Sequence, residues 1–157
     1  NQKLLSEKGA IAMLPEPFVS TALAAGGDSV KQLFDLNELW NEATGQELPM
    51  GVLVARRGFV SDRPADLEVL LKDYAESVDF VNSDDGAGAL IVEKGFIGKE
   101  AIAKSAISRC KMVLFTGTNA GEGADILRTF NQTLYDMEPA SVGGVLPDEE
   151  LYYAGAE

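Results

Sequence analysis

The sequence predicts an α/β fold, and three observations carry that expectation. The run Ala10-Ile11-Ala12-Met13-Leu14 is apolar, too short for a globular helix, and ends at a Pro-Glu-Pro corner. The run Gly51-Val52-Leu53-Val54-Ala55-Arg56 reads as a strand, with aliphatic residues that suit a pleated, buried surface. From Pro64 onward apolar residues return at helical spacing instead: Leu67, Leu70, Leu71, Tyr74, Val78 and Val81 share one face.

Taken in order, residues 1–9 read as the tail of a helix stopped at Gly9. Ala10–Leu14 is then a strand. Pro15 and Pro17 fix φ and remove two backbone donors, so the strand ends there. Pro17 suits the first turn of the next helix, Phe18–Ala25, where a missing N–H costs nothing. Gly26-Gly27-Asp28 is turn chemistry. Val30–Leu36 alternates as a strand, and Asn37–Ala43 reads as a short helix carrying Trp40, stopped near Gly45. Residues 44–50 are the best boundary between structural units, with the strand 51–56 after them. A long helix runs from Pro64 to about Val81, with Asp66 and Glu68 near the positive end of its dipole. Ser83 is placed to cap a helix over 84–94, closed by Gly95. Further helices are expected at 99–107 and 125–137, the second with Leu127, Phe130, Leu134 and Met137 on one face. Lys111–Phe115 is a strand or an extended packing segment, and Leu146–Tyr153 a short helix or docking segment. Two strand–helix units followed by helices cannot close a parallel sheet alone, because parallel strands need neighbours and covered faces. The expectation is therefore the second half of a larger α/β protein.

Composition narrows the chemistry. The chain of 157 residues carries 25 acidic and 13 basic side chains, a net charge of −12 that repels nucleic-acid phosphate. It has one cysteine, Cys110, and no histidine, so neither a Ser-His-Asp nor a Cys-His mechanism can be built within it, and histidine metal ligands are excluded. No apolar run approaches the roughly 18 residues of a membrane span, and no export signal opens the sequence. Lys94–Glu100 contains Gly-Lys but lacks the Ser/Thr and first Gly of a phosphate loop. Asp35-Leu36-Asn37-Glu38 begins like a calcium loop but places Leu39 where a ligand is required. The glycines of 85–88 and 117–123 lack dinucleotide-loop spacing and read as helix starts and a loop. Cys110 reads as a buried, inert thiol, Trp40 as packing or as a stacking surface for a ligand, and Arg56 and Arg57 as surface charges.

Glu16 stands out because the corner holds it at the carboxyl end of an expected strand and near a helix N-terminus, the edge where open α/β sheets gather ligands. Several stretches together, Leu14–Phe18, Asp35–Trp40, Gly51–Arg56, Pro64–Asn82 and Val142–Tyr153, resemble in their order the substrate-binding proteins of ABC importers, of the nitrate/sulfonate/taurine/thiamine-precursor type. The resemblance implies a periplasmic-binding-protein type II-like, two-lobe architecture of which this chain is the C-terminal part. Residues 1–48 would end the second, ligand-binding lobe, and residues 49–157 would supply the return strand and C-terminal helices of the first. It further implies ligand-binding roles for Glu16, Pro15 and Phe18, no catalysis, no cofactor and no metal. Its partners would be a small-molecule ligand and an ABC membrane permease, at an extracytoplasmic location, with membrane contact only through a lipid anchor outside this sequence. An acidic Glu16 would suit an amine or a pyrimidine better than nitrate or a sulfonate, unless it were paired with a cation from the part of the protein outside this sequence. The alternative is an enzyme of thiamine-pyrimidine precursor synthesis sharing the same fold, against which the absence of histidine counts.

Overall fold

The computed structural model describes residues 2–153, and every regular element among them is helical. Eight α-helices follow one another: α1 (Gln2–Ser6), α2 (Phe18–Gly26), α3 (Leu36–Thr44), α4 (Arg57–Asp62), α5 (Pro64–Ser83), α6 (Ala87–Glu93), α7 (Glu100–Cys110) and α8 (Ala120–Met137). Short 3₁₀ turns occupy 27–29, 117–119, 139–142 and 149–151. No described helix is long and apolar enough to cross a membrane.

The expected α/β, periplasmic-binding-protein type II-like architecture is therefore corrected: the described residues contain no strand and no sheet. Ala10–Leu14, Val30–Leu36, Gly51–Arg56 and Lys111–Phe115 were the expected strand segments. They run without regular structure, apart from Leu36, which starts α3. The physical reason is that a strand's N–H and C=O groups must be met by another strand, whereas a helix satisfies its own within four residues. Each apolar run here is separated from the next by helix, and none meets a ladder partner among the described residues.

The helices themselves follow local signals. Asp35 caps α3 by accepting a hydrogen bond from the Asn37 N–H at 2.9 Å. Gly45 ends it in the left-handed region at φ 73°, its N–H bonded to the Asn41 carbonyl at 2.7 Å. Ser83 does not cap a following helix. It is the last residue of α5, and its hydroxyl donates back to the Asp79 carbonyl at 2.7 Å. The turn into α6 is held instead by Asp84, whose Oδ1 accepts from the Gly86 N–H at 2.6 Å. α8 starts five residues earlier than expected because Thr116 and Asn119 form a capping box around the preceding 3₁₀ turn. α4 has no counterpart in the sequence reading.

The chain divides into two compact units, interleaved along the sequence. The first comprises residues 2–33 and 72–113, the second residues 34–71 and 114–153. In the first, α7 packs against both α2 and α6. The residues buried there are small: Ser20 and Ala22 on α2, Ala87 and Gly88 on α6, Ala103 and Ala106 on α7. Small side chains let the helices approach closely; a Cβ built on Gly88 would lie 2.7 Å from Lys104 Cγ. In the second unit Ala120 and Ala124 of α8 are buried. Trp40 meets Phe130 edge-on there, with ring centroids 5.4 Å apart and planes at 61°. Gly123 gives room for Phe115, whose Cβ would lie 2.5 Å from an added Cβ.

Candidate functional site

A polar cluster that ties two helices together lies in the first unit, where α2 meets α7. Glu16 stands two residues before α2 and turns its carboxylate back over the first turn, so that Oε2 accepts from the Ser20 N–H at 3.2 Å. The first N–H groups of a helix lack intrahelical partners and carry the positive end of its dipole, which favours a carboxylate there. Ser20 is 3% exposed, and its hydroxyl donates to Ser105 Oγ at 3.1 Å. One turn further along α7, Arg109 brings its Nε to 3.7 Å from Glu16 Oε1. Its Nη1 donates to Gln32 Oε1 at 2.5 Å. The four-residue spacings 16–20 and 105–109 thus bring two pairs of polar side chains together.

Glu16 is shielded, with its side chain 13% exposed, while that of Arg109 is 38% exposed and reaches solvent. Arg109 Nη2 has no hydrogen-bond partner among the described residues. The cation anticipated as necessary for an anionic ligand beside Glu16 is therefore supplied by this chain itself. Cys110 follows Arg109 and is exposed rather than buried. Partial desolvation of its thiol, and secondarily the charge of Glu16, push its pKa above the ordinary 9.0, so the sulfur is a neutral thiol at pH 7. Among the described residues no group of three His, Cys, Asp or Glu is placed to hold a metal ion.

Of the residues singled out from the sequence, Glu16 lies inside this cluster. Pro15 is exposed, and its carbonyl accepts from the Phe18 and Val19 N–H groups at 2.9 and 3.2 Å. Phe18 opens α2 and is 53% exposed. Ser20, Gln32, Ser105 and Arg109 were not anticipated. The one sequence signal for Arg109 is a basic residue in the last turn of a helix, where it complements the dipole.

The second unit contains an open cavity of about 540 Å³ lined by Asn41, Gln46, Glu47, Glu122, Asp125 and Ile126. Its rim is acidic, and Asp125 is already engaged by Arg128 at 2.6 Å. Arg128 is also held by Glu149 at 2.7 Å and lies 4.9 Å over the Tyr152 ring. Its guanidinium is accordingly bound more firmly to its proton than a free arginine, chiefly through the Glu149 hydrogen bond. Three carboxylates disfavour an anionic ligand at this cavity.

Residues 20–92 match the profile of a family described as menaquinone biosynthesis. The matched span is just under half of the chain, begins at Ser20 and includes Gln32. No curated protein and no solved structure matches the chain. The match overturns the resemblance to substrate-binding proteins of ABC importers, and with it the expected transport function and the expected absence of catalysis. The thiamine-pyrimidine alternative differs from it as well. The stretches that carried the resemblance included short apolar runs, a proline corner and an amphipathic helix over Pro64–Asn82. Many folds use these, and without a sheet they carry no evidence for two lobes. The family matched is described by a biosynthetic role and not by transport.

Proposed function

We propose that this chain serves in an enzyme of menaquinone biosynthesis and that the cluster at the α2–α7 junction binds an acidic precursor there. The observation that carries the reading is the family match over residues 20–92, which takes in Ser20 and Gln32 of the cluster, while Glu16, Ser105 and Arg109 lie outside it. In this reading Arg109 accepts an anionic group of the substrate on its Nη2 face, as guanidinium donors suit carboxylates and phosphates. Glu16 and Gln32 hold the guanidinium in place from behind. Ser20 and Ser105 link α2 to α7, so the helix that carries Arg109 is tied to the helix that Glu16 caps.

Deleting the gene in its host and measuring menaquinone in lipid extracts by mass spectrometry tests the assignment. Menaquinone is expected to fall, and to be restored by the intact gene. Restoration by Arg109→Ala should be reduced about tenfold or more, the scale of one lost charged hydrogen bond. Arg109→Lys should restore partly. Unchanged menaquinone after deletion overturns the pathway assignment. Full restoration by a folded Arg109→Ala protein removes the cluster from the site.

A further inference from the structure

Residues 145–152 of the second unit follow a pair of glycines. Gly143 and Gly144 both take the left-handed region, at φ 83° and 87°, and a Cβ built on either would meet nothing within 4 Å. Glycine therefore supplies backbone freedom there rather than room for a neighbour. The near side of this hinge is fixed to the second unit's long helix. The Gly144 N–H bonds the Pro139 carbonyl at 2.8 Å, and the Ser141 hydroxyl donates to the Leu134 carbonyl of α8 at 3.3 Å. On the far side, no backbone hydrogen bond joins residues 145–152 to another described part of the chain. Apolar burial holds them little, with Val145 72% and Leu151 60% exposed.

The segment is held chiefly by charge. Asp148 lies 3.6 Å from Arg57 Nη2, and Glu150 pairs with Nη1 of the same guanidinium. Between them, Glu149 Oε2 accepts from Arg128 Nη2 at 2.7 Å and from its Nε at 3.1 Å. The Tyr152 ring lies 4.9 Å from that guanidinium, and its hydroxyl accepts from Asn131 Nδ2 at 3.0 Å. Arg57 opens α4 and Arg128 belongs to α8, so three successive carboxylates clip one segment onto two helices. Exposed ion pairs are individually weak, so a segment that depends on them sits close to its own opening equilibrium. We propose that residues 145–152 form a strap, hinged at Gly143–Gly144 and closed by Arg57 and Arg128, that opens while the helices beneath it stay folded. Arg128 also holds Asp125, which lines the open cavity of this unit. Opening takes the Glu149 carboxylate away from Arg128 and leaves the guanidinium to Asp125, so the strap sets the charge beside the cavity. This inference is independent of the reaction the protein serves.

Site-resolved hydrogen exchange of the full chain tests it, read at Leu151 and Tyr152, whose N–H groups bond the Asp148 and Glu149 carbonyls inside the strap. Glu149→Gln keeps the shape and removes the charge, and Arg57→Ala removes the other latch. Each should speed exchange at these two amides about threefold or more, and the double variant about tenfold, with the amides of α8 unchanged. Leu151→Ala, which trims apolar surface alone, should change Tyr152 exchange by less than about twofold. Wild-type exchange rates in Glu149→Gln and Arg57→Ala overturn the proposal. So does acceleration of the α8 amides in step with the strap, which would make the segment part of that helix's own folding unit. An effect of Leu151→Ala as large as that of Glu149→Gln overturns it too, by making apolar contact the hold.

Discussion

Glu16 reaches three neighbours in the first unit. It bonds the Ser20 N–H, faces Arg109 and adds to the raised pKa of Cys110. A raised thiol pKa in the folded chain means that folding favours the protonated form. That contribution to stability is complete below the unfolded thiol's pKa and is lost as pH rises through the higher folded value. Alkylation of Cys110 by iodoacetamide should therefore show a pH midpoint above the ordinary 9.0 in the native protein, and a lower one in urea. Glu16→Gln should lower the native midpoint, since it removes one of the two causes. An unchanged profile would place Glu16 too far from the sulfur to matter. Glu16 was legible in the sequence because two prolines isolate it. Arg109 was not, because its partner Gln32 lies 77 residues away and neither residue sits in a recognisable motif.

Individual elements obey caps and packing that single substitutions can separate. Asp35→Ala removes the acceptor from the start of α3 and should cost about 1 kcal/mol, read as a drop in the denaturation midpoint. Two glycines in α8 offer a sharper contrast. A Cβ at Gly121 meets nothing within 4 Å, so Gly121→Ala should be neutral or stabilising by up to about 1 kcal/mol. A Cβ at Gly123 would lie 2.5 Å from Phe115 Cβ, so Gly123→Ala should destabilise by roughly 1–3 kcal/mol despite the better helix propensity. Equal melting temperatures for the two variants would contradict the close approach of Phe115 to α8. At this scale the sequence was a good guide to α2, α3, α5 and α7, where periodicity, proline and glycine speak locally. It missed α4, only six residues long and lacking a side-chain cap. It also misread Ser83, which bonds its own helix rather than the next.

Among the described residues the buried side chains are chiefly alanine, with Leu67 the one large aliphatic among them, and no large side chain is fully buried. Ile11, Met13, Phe34 and Phe96 are each more than 70% exposed. Apolar burial sets the steepness of unfolding, so the chain should unfold with a shallow urea dependence for its length and bind anilinonaphthalene sulfonate under native conditions. A steep single transition without dye binding would contradict so small a core. The acidic excess, the lack of histidine and the positions of most helices were determined by the sequence alone, because counts, capping and periodicity are properties of neighbouring residues. Two decisions belonged to the tertiary structure. It left the apolar runs at 10–14, 30–36 and 51–56 without ladders, and it joined Glu16 and Gln32 to Arg109. Both depend on which distant segments come within a few ångströms of each other, and no local pattern of residues encodes that.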